Sequence, residues 1–312
     1  MQNPVADFVA ALRLGEAQEH RGLTLLPLLS DFEARLPFLT LEEALLAGLV
    51  ELKEVSEGGS VNELRVLNRA GSGVFILDGE ELVGAKQNRI ANASFLAPPG
   101  GDVVIDVSCI ERGRWRYTSE RFSTSDSVYA STGRRRKMED VTGSLFASGR
   151  FQADQGRVWG TVGQYLEDSG TLSGTDSFVD FHKRFKERLD AAVAAFRALP
   201  GQVGALVAVA GRIAGLDAFG RAETWSKLAP KLVRSYAMDS LATLEDPPPV
   251  DPPATLDPPG FLARLRDAPA ELFRSVGEGS DVRLRSDSVL ASALVVGDEV
   301  LHLTAFPAAS AA

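Results

Sequence analysis

The sequence predicts a mixed α+β protein: an antiparallel β-rich sheet or sandwich with packed helices, plus a small C-terminal α+β unit. Three observations carry this reading. Residues 20–117 consist of short apolar or alternating runs separated by glycine turns, the pattern of an antiparallel meander. From about residue 150 the apolar residues recur at three and four positions, the period of amphipathic helices. The proline-rich stretch DPPPVDPPATLDPPG, 246–260, reads as a stiff linker or wrapping arm. The expected organisation is a main domain 1–245, β-rich over 20–120 and helical over 150–243. The linker 246–260 and a C-terminal unit 261–312 follow.

Residues 5–14 place Val5, Phe8, Val9 and Leu12 on one helical face. LTLLPLL, 23–29, reads as a strand with Pro27 near its end or at an edge, since proline donates no ladder hydrogen bond. Thr40 with Glu43 three residues on has the capping-box spacing and starts a helix that Gly48 closes. Residues 49–55 and 63–68 alternate like strands. After Gly73, the apolar run Val74–Leu77 suits a strand buried on both faces, and Asp78-Gly79 is the dipeptide that most favours a type I′ hairpin. Leu82 and Val83 begin the return strand, which runs into Lys86, Gln87, Asn88 and Arg89. Residues 94–110 supply two further strands around Pro-Pro-Gly-Gly.

Four adjacent polar side chains alternate across both faces of a strand, so in a covered sheet some are buried or line a cleft. A buried Lys or Arg needs a partner, because an unpaired charge out of water costs several kcal/mol. The partner is either a nearby acid, giving a structural salt-bridge knot, or an anionic ligand.

The segment DGEELVGAKQNRIANASF, continuing into VIDVSCIERGRW at 104–115, resembles the ARPP-1 family, whose name links it to ADP-ribosylglycohydrolases and to the rhodanese-phosphatase superfamily. The resemblance is specific over 73–117 and weaker but continuous from about 20 to 240. It implies a role near NAD or ADP-ribose metabolism and carries no catalytic residue across.

Composition narrows the classes. With 45% apolar and 24% charged residues the chain has an ordinary globular profile. A net charge of −9 argues against nucleic-acid binding by the whole surface. The single cysteine, Cys109, allows neither an intramolecular disulfide nor a cysteine-rich zinc site. The start lacks a secretory-signal pattern and no apolar run approaches a membrane span, so a cytoplasmic protein with no membrane partner is expected.

Residues 111–137 carry eight Lys or Arg (Arg112, Arg114, Arg116, Arg121, Arg134, Arg135, Arg136, Lys137) against Glu111, Glu120 and Asp126. Trp115, Tyr117, Phe122 and Tyr129 are interleaved. Arginine with aromatics clamps phosphate and stacks bases, whereas a charge run is more often a solvated loop. The run Gly133–Lys137 reads as its most mobile part. Beyond it, helices are expected over 156–170, over 176–199 with Thr175 as cap, and over 221–243, with Pro230 kinking or dividing the last. Residues 202–219 read as a buried hairpin. In the C-terminal unit a helix is expected near 260–274, then strands at 283–286, 289–297 and 299–306. Three glycine-turn hairpins, at 75–84, 207–217 and 294–303, raise the question of a duplication.

His20, His182 and His302 form no zinc-site spacing. Asp78, Glu80, Glu81 and Glu111 are carboxylates able to hold Mg²⁺ or simply to face solvent. Cys109 is either a nucleophile activated by neighbouring arginines or a small buried apolar residue. No GxSxG, P-loop or helix-opening GxGxxG is present. The positive expectation is therefore a polar cluster at one sheet end that binds or processes an ADP-ribose- or NAD-like nucleotide. Lys86, Arg89, Arg112 and Arg114 would meet the diphosphate, Trp115 the base, and Gln87 and Asn88 the ribose or base edges. Glu80, Glu81 or Glu111 would activate water. These clusters would meet if the two strands ran parallel or were offset by the turn. The alternative is a non-catalytic module that binds protein or single-stranded nucleic acid through 111–137.

Overall fold

The computed structural model describes residues 3–56, 58, 60–243 and 256–308. Helix α1 (Pro4–Ala11) is capped by the Asn3 side chain and leads into strands β1 (Arg13–Leu14), β2 (Gln18–His20) and β3 (Leu23–Leu29). Pro27 lies inside β3, paired with Ala205 on one side. On the other side β1 covers Leu28–Leu29 and β2 covers Leu23–Leu25, so the ladder breaks where proline has no N–H to give. The Pro27 carbonyl still accepts from the Gly15 N–H at 2.8 Å.

Strand β4 (Phe38–Thr40) ends at the expected capping box of α2 (Leu41–Leu46): Glu43 N–H donates to Thr40 Oγ1, and Thr40 N–H to Glu43 Oε2 at 2.9 Å. Strands β5 (Val50–Glu54), β6 (Glu63–Asn68), β7 (Gly73–Ile76) and β8 (Glu80–Gly84) follow. β7 and β8 are not a hairpin. β7 pairs with β10 (Phe95–Ala97) and in parallel with β4, while β8 pairs with β9 (Arg89–Ala91) and β12 (Phe122–Val128). Asp78-Gly79 is a tight turn, with Gly79 at φ +77°, but it carries the chain from one sheet to another. The tetrad Lys86–Arg89 accordingly falls in the loop of the β8–β9 hairpin and on the first residue of β9. Strand β11 (Asp102–Cys109) pairs with β9 and β6.

The basic segment differs most from expectation. β12 occupies its middle, and Ser131 opens the 18-residue helix α3 (Ser131–Ser148). The run Gly133–Lys137 forms the first turns of that helix, with Arg134 and Lys137 at 0% and 1% exposure. Helices α4 (Gln155–Asp168) and α5 (Phe178–Ala195) are followed by the expected hairpin β13 (Gln202–Val209) and β14 (Arg212–Phe219), turning at Ala210-Gly211. The N-cap of α5 is Ser177 rather than Thr175. Helix α6 (Ala222–Thr243) runs unbroken through Pro230. Residues 246–255 of the expected linker lie outside the described residues. Pro258 and Pro259 open α7 (Pro258–Arg266), where a missing N–H costs no helical hydrogen bond. Strands β15 (Ala270–Arg274), β16 (Ser280–Arg285), β17 (Val289–Val296) and β18 (Glu299–Pro307) complete the chain.

Three sheets result: β1-β3-β13-β14-β18-β17-β16-β15 with β2 beside β3, β10-β7-β4, and β12-β8-β9-β11-β6-β5. Pairing of β14 with β18 joins the C-terminal strands to the sheet begun at Leu23. Of the three glycine turns, only those at Gly211 and Gly297 close hairpins. Adjacent residues of β3 enter different cores: Leu26 and Leu28 pack with α1 and α7, Leu23 and Leu25 with α4, α5 and α6. A third core, built on Leu52, Val66, Ile76, Leu82 and Phe95, fills the smaller sheets.

Candidate functional site

Antiparallel pairing, not a parallel or offset one, brings the two polar clusters together. Arg89 opens β9 and Cys109 closes β11, and they are direct cross-strand partners. Around this sheet end part of the tetrad forms a closed knot. Arg114 donates to the Ala85 carbonyl at 2.7 Å, to Asn88 Oδ1 at 3.1 Å and to Glu111 Oε2 at 2.7 Å. Asn88 N–H donates to the same carboxylate at 3.1 Å, and Thr175 Oγ1 caps Glu111 Oε1 at 2.9 Å. Burial would raise the Glu111 pKa, but these donors outweigh it and hold it below the usual range. Asn88, Glu111 and Arg114 are thus the salt-bridge knot, and they fix the loop.

The remaining residues face an aromatic lid. Trp115 and Tyr117 are each about half exposed, and Lys86 Nζ lies 5.2 Å from both rings while donating to the Gly58 carbonyl at 2.6 Å. Beneath them Arg89, at 0% exposure, sits 5.9 Å from the Trp115 ring. Its Nη1 donates to Gln87 Oε1 at 3.0 Å, and Gln87 Nε2 donates to the Glu111 carbonyl at 2.9 Å. Among the described residues Arg89 Nε and Nη2 have no hydrogen-bond partner, and burial lowers the pKa of the guanidinium. Both carboxylate oxygens of Glu54, at the end of β5, are likewise buried without one among the described residues. Lys86, Gln87, Arg89 and Trp115 therefore converge as expected. Arg112 does not join them: it lies over Trp159 of α4, at 5.6 Å.

The acids expected to work together are dispersed. Asp78 neutralises Lys137 and Arg134 in the core. Glu80 accepts from Lys231 and from Thr124, both at 2.7 Å. Glu81 pairs with Ile90 and Arg89 with Leu82, so Glu81 and Arg89 point to opposite faces of the sheet. These acids form no common oxygen cage for Mg²⁺, and among the described residues no group of three or more His, Cys, Asp or Glu is arranged to hold a metal. In the basic segment Arg114, Arg134 and Lys137 are buried on internal acids, leaving a nucleic-acid strand fewer cations than the sequence count suggests.

A family model described as the ARG and Rhodanese-Phosphatase-superfamily-associated Protein domain, ARPP-1, matches residues 11–306. The chain belongs to the ARPP-1 family. The family's name ties it to ADP-ribosylglycohydrolase and rhodanese-phosphatase contexts. No curated protein and no solved structure matches the chain. No helix among the described residues is long and apolar enough to cross a membrane.

Two groups in this ARPP-1 domain escape sequence reasoning. Glu54 carries no signal beyond standing at a strand end. The second is a fully buried polar network drawn from residues 78–304. Arg134 makes two hydrogen bonds to Asp217, at 2.6 and 3.0 Å, and a third to Thr304 at 3.1 Å. His302 links Asp217, at 3.1 Å, to Ser94 Oγ, at 2.8 Å, and Ser94 Oγ accepts the Asp78 N–H. Burial alone would raise the Asp217 pKa, but Arg134 and His302 drive it far below the carboxylate range. Ser94, His302 and Asp217 follow one another like a catalytic triad, yet none exceeds 5% exposure, so substrate has no path to the serine. Only the clustering of Arg134–Lys137 in an acidic chain pointed toward this network.

Proposed function

We propose that the chain binds an ADP-ribose- or NAD-like nucleotide at the Lys86–Arg89–Trp115 sheet end. The observation that carries this reading is Arg89: a buried guanidinium with two unpartnered nitrogen atoms directly beneath a half-exposed tryptophan. Glu54 and Glu111 favour the charged form of Arg89, but two of its nitrogen atoms lack hydrogen bonds, and a phosphate oxygen would supply these once the half-exposed Trp115 swings off the buried guanidinium. Trp115 and Tyr117 offer flat faces for a base, Lys86 a second cation, and the family's name supplies the ADP-ribose context. Mg²⁺ travelling with a diphosphate needs only one or two protein carboxylates, and Glu54 is the acid at hand.

Calorimetry with ADP-ribose and with NAD, each with and without Mg²⁺, tests the reading. Saturable heat is expected for at least one nucleotide, lost in Trp115→Ala and in Arg89→Met variants that retain the wild-type circular dichroism. Absence of heat for every nucleotide at millimolar concentration overturns it. A hydrolytic role for Glu111 or Glu80 predicts turnover of the bound nucleotide that falls in the matching glutamine variant.

A further inference from the structure

On the other face of β8 a second constellation stands apart from the sheet-end cluster. Between Thr124, paired with Leu82, and Val128, paired with Glu80, β12 bulges outward, so that Ser125, Asp126 and Ser127 stand opposite Glu81. Ser125 Oγ donates to Glu81 Oε2 at 2.8 Å. The other oxygen, Oε1, lies 3.3 Å from Nε2 of His182 on α5. That contact is a close approach outside hydrogen-bond geometry: among the described residues neither of these two buried atoms has a hydrogen-bond partner. A cavity of about 140 Å³ opens beside the pair. It is lined by His182, Lys183, Lys186 and Arg234, and among the described residues Asp126 is the acid on its wall. Each of these cations already has a carboxylate beside it: Lys183 has Asp180, Lys186 has Asp190, and Arg234 has both Asp190 and Asp126.

We propose that Glu81 and His182 form a carboxyl–imidazole dyad whose outer nitrogen, His182 Nδ1, binds a compact oxyanion of the phosphate class in this cation-rimmed cavity. His182 Nε2 is buried against Glu81, which leaves Nδ1 as the ring nitrogen on the cavity side. A cavity of about 140 Å³ has room for a compact anion.

Proton placement sets the polarity of the site. Burial is the main cause raising the Glu81 pKa to about 8, with Asp126 and Glu80 adding to it and Ser125 and Lys231 opposing. Burial, with Arg234, lowers that of His182 to about 3. Near neutral pH the pair therefore holds its proton on Glu81, from which a small rotation of the carboxyl would aim it at Nε2, 3.3 Å away. The neutral ring then carries its own proton on Nδ1, where it meets an anion as a donor. Once Glu81 ionises, the favoured tautomer moves the ring proton to Nε2, and a lone pair replaces the donor.

Long-range ¹H–¹⁵N NMR of the histidines, with inorganic phosphate as probe, tests the proposal on the intact chain. Near neutral pH, His182 should show the Nδ1–H tautomer, and its signals should shift saturably with phosphate while those of buried His302 stay put. The shift should disappear in Lys186→Ala. Above the Glu81 pKa wild type should lose the phosphate response and Glu81→Gln should keep it, because an amide donates to Nε2 at any pH. His182 signals unmoved by phosphate at neutral pH, an Nε2–H tautomer there, or a Glu81→Gln response that falls with pH as in wild type would each overturn it.

Discussion

The internal network makes its sharpest prediction at Asp78. Lys137, at 1% exposure, donates to Asp78 Oδ1 and to the carbonyls of Ala91 and Asn92 at 3.0 and 2.9 Å. Burial lowers the Lys137 pKa, and Asp78 is the carboxylate that opposes this. Asp78→Asn leaves the ammonium with neutral acceptors only, and Arg134 with Asp217 as its one carboxylate. Removing one partner of a buried pair costs about 3–5 kcal/mol, a large share of the roughly 5–15 kcal/mol that holds a domain folded. Lys137→Met removes the charge that Asp78 answers, although it strands the two carbonyls at about 1–3 kcal/mol each. In the Asp78→Asn background the lysine substitution should therefore cost less than in wild type, with a coupling of about 2 kcal/mol. Guanidinium unfolding followed by circular dichroism on the four proteins reads this out. Additivity within about 0.5 kcal/mol, or a loss under about 1 kcal/mol for Asp78→Asn alone, would refute the reasoning.

Two further predictions concern the ends of this core. Glu81, raised to about 8 in the fold, contributes stability that is complete below its unfolded value of 4.5 and fades as pH rises to about 8. The decline approaches about 1.4 kcal/mol per pH unit within that window. Glu81→Gln should flatten the profile there, so thermal melts of the two proteins should converge or cross between about pH 5 and about pH 8; parallel profiles would contradict the burial of a protonated acid. Gly133→Ala should destabilise by about 1–3 kcal/mol, although alanine is the better helix former by about 1 kcal/mol, because its Cβ would stand 2.4 Å from the ring of fully buried Tyr129. Chemical denaturation decides between the two effects by the sign of the midpoint shift.

What was legible in the sequence was local. The Thr40–Glu43 box, the strand Glu63–Asn68, the turns at Gly211 and Gly297 and the face of α5 each follow from neighbours a few residues apart. Asp78-Gly79 misled because a dipeptide specifies a tight turn and not which strands leave it paired; the pairing is decided by β10 and β9, which come later in the chain. Arg134 and Lys137 look solvated because their counter-charges, Asp217 and Asp78, lie 83 and 59 residues away. The sheet-end cluster was visible because Lys86–Arg89 and Glu111–Trp115 are compact in sequence. Glu54 and His182 were not, since a single acid or histidine acquires meaning only from what folds against it.

Strand β18 supplies both Thr304 and His302 to the Asp217 side of the network, and it covers the edge of β14. A ribosome-bound chain that has not yet released its last residues therefore holds Arg134 and Asp217 without two of their companions, beside an open strand edge prone to pairing with another molecule. Fragments that end before β18 should accordingly aggregate rather than settle, and expression trials that trim the carboxyl end at the proline-rich stretch should send a larger share of the product into inclusion bodies than the intact chain does.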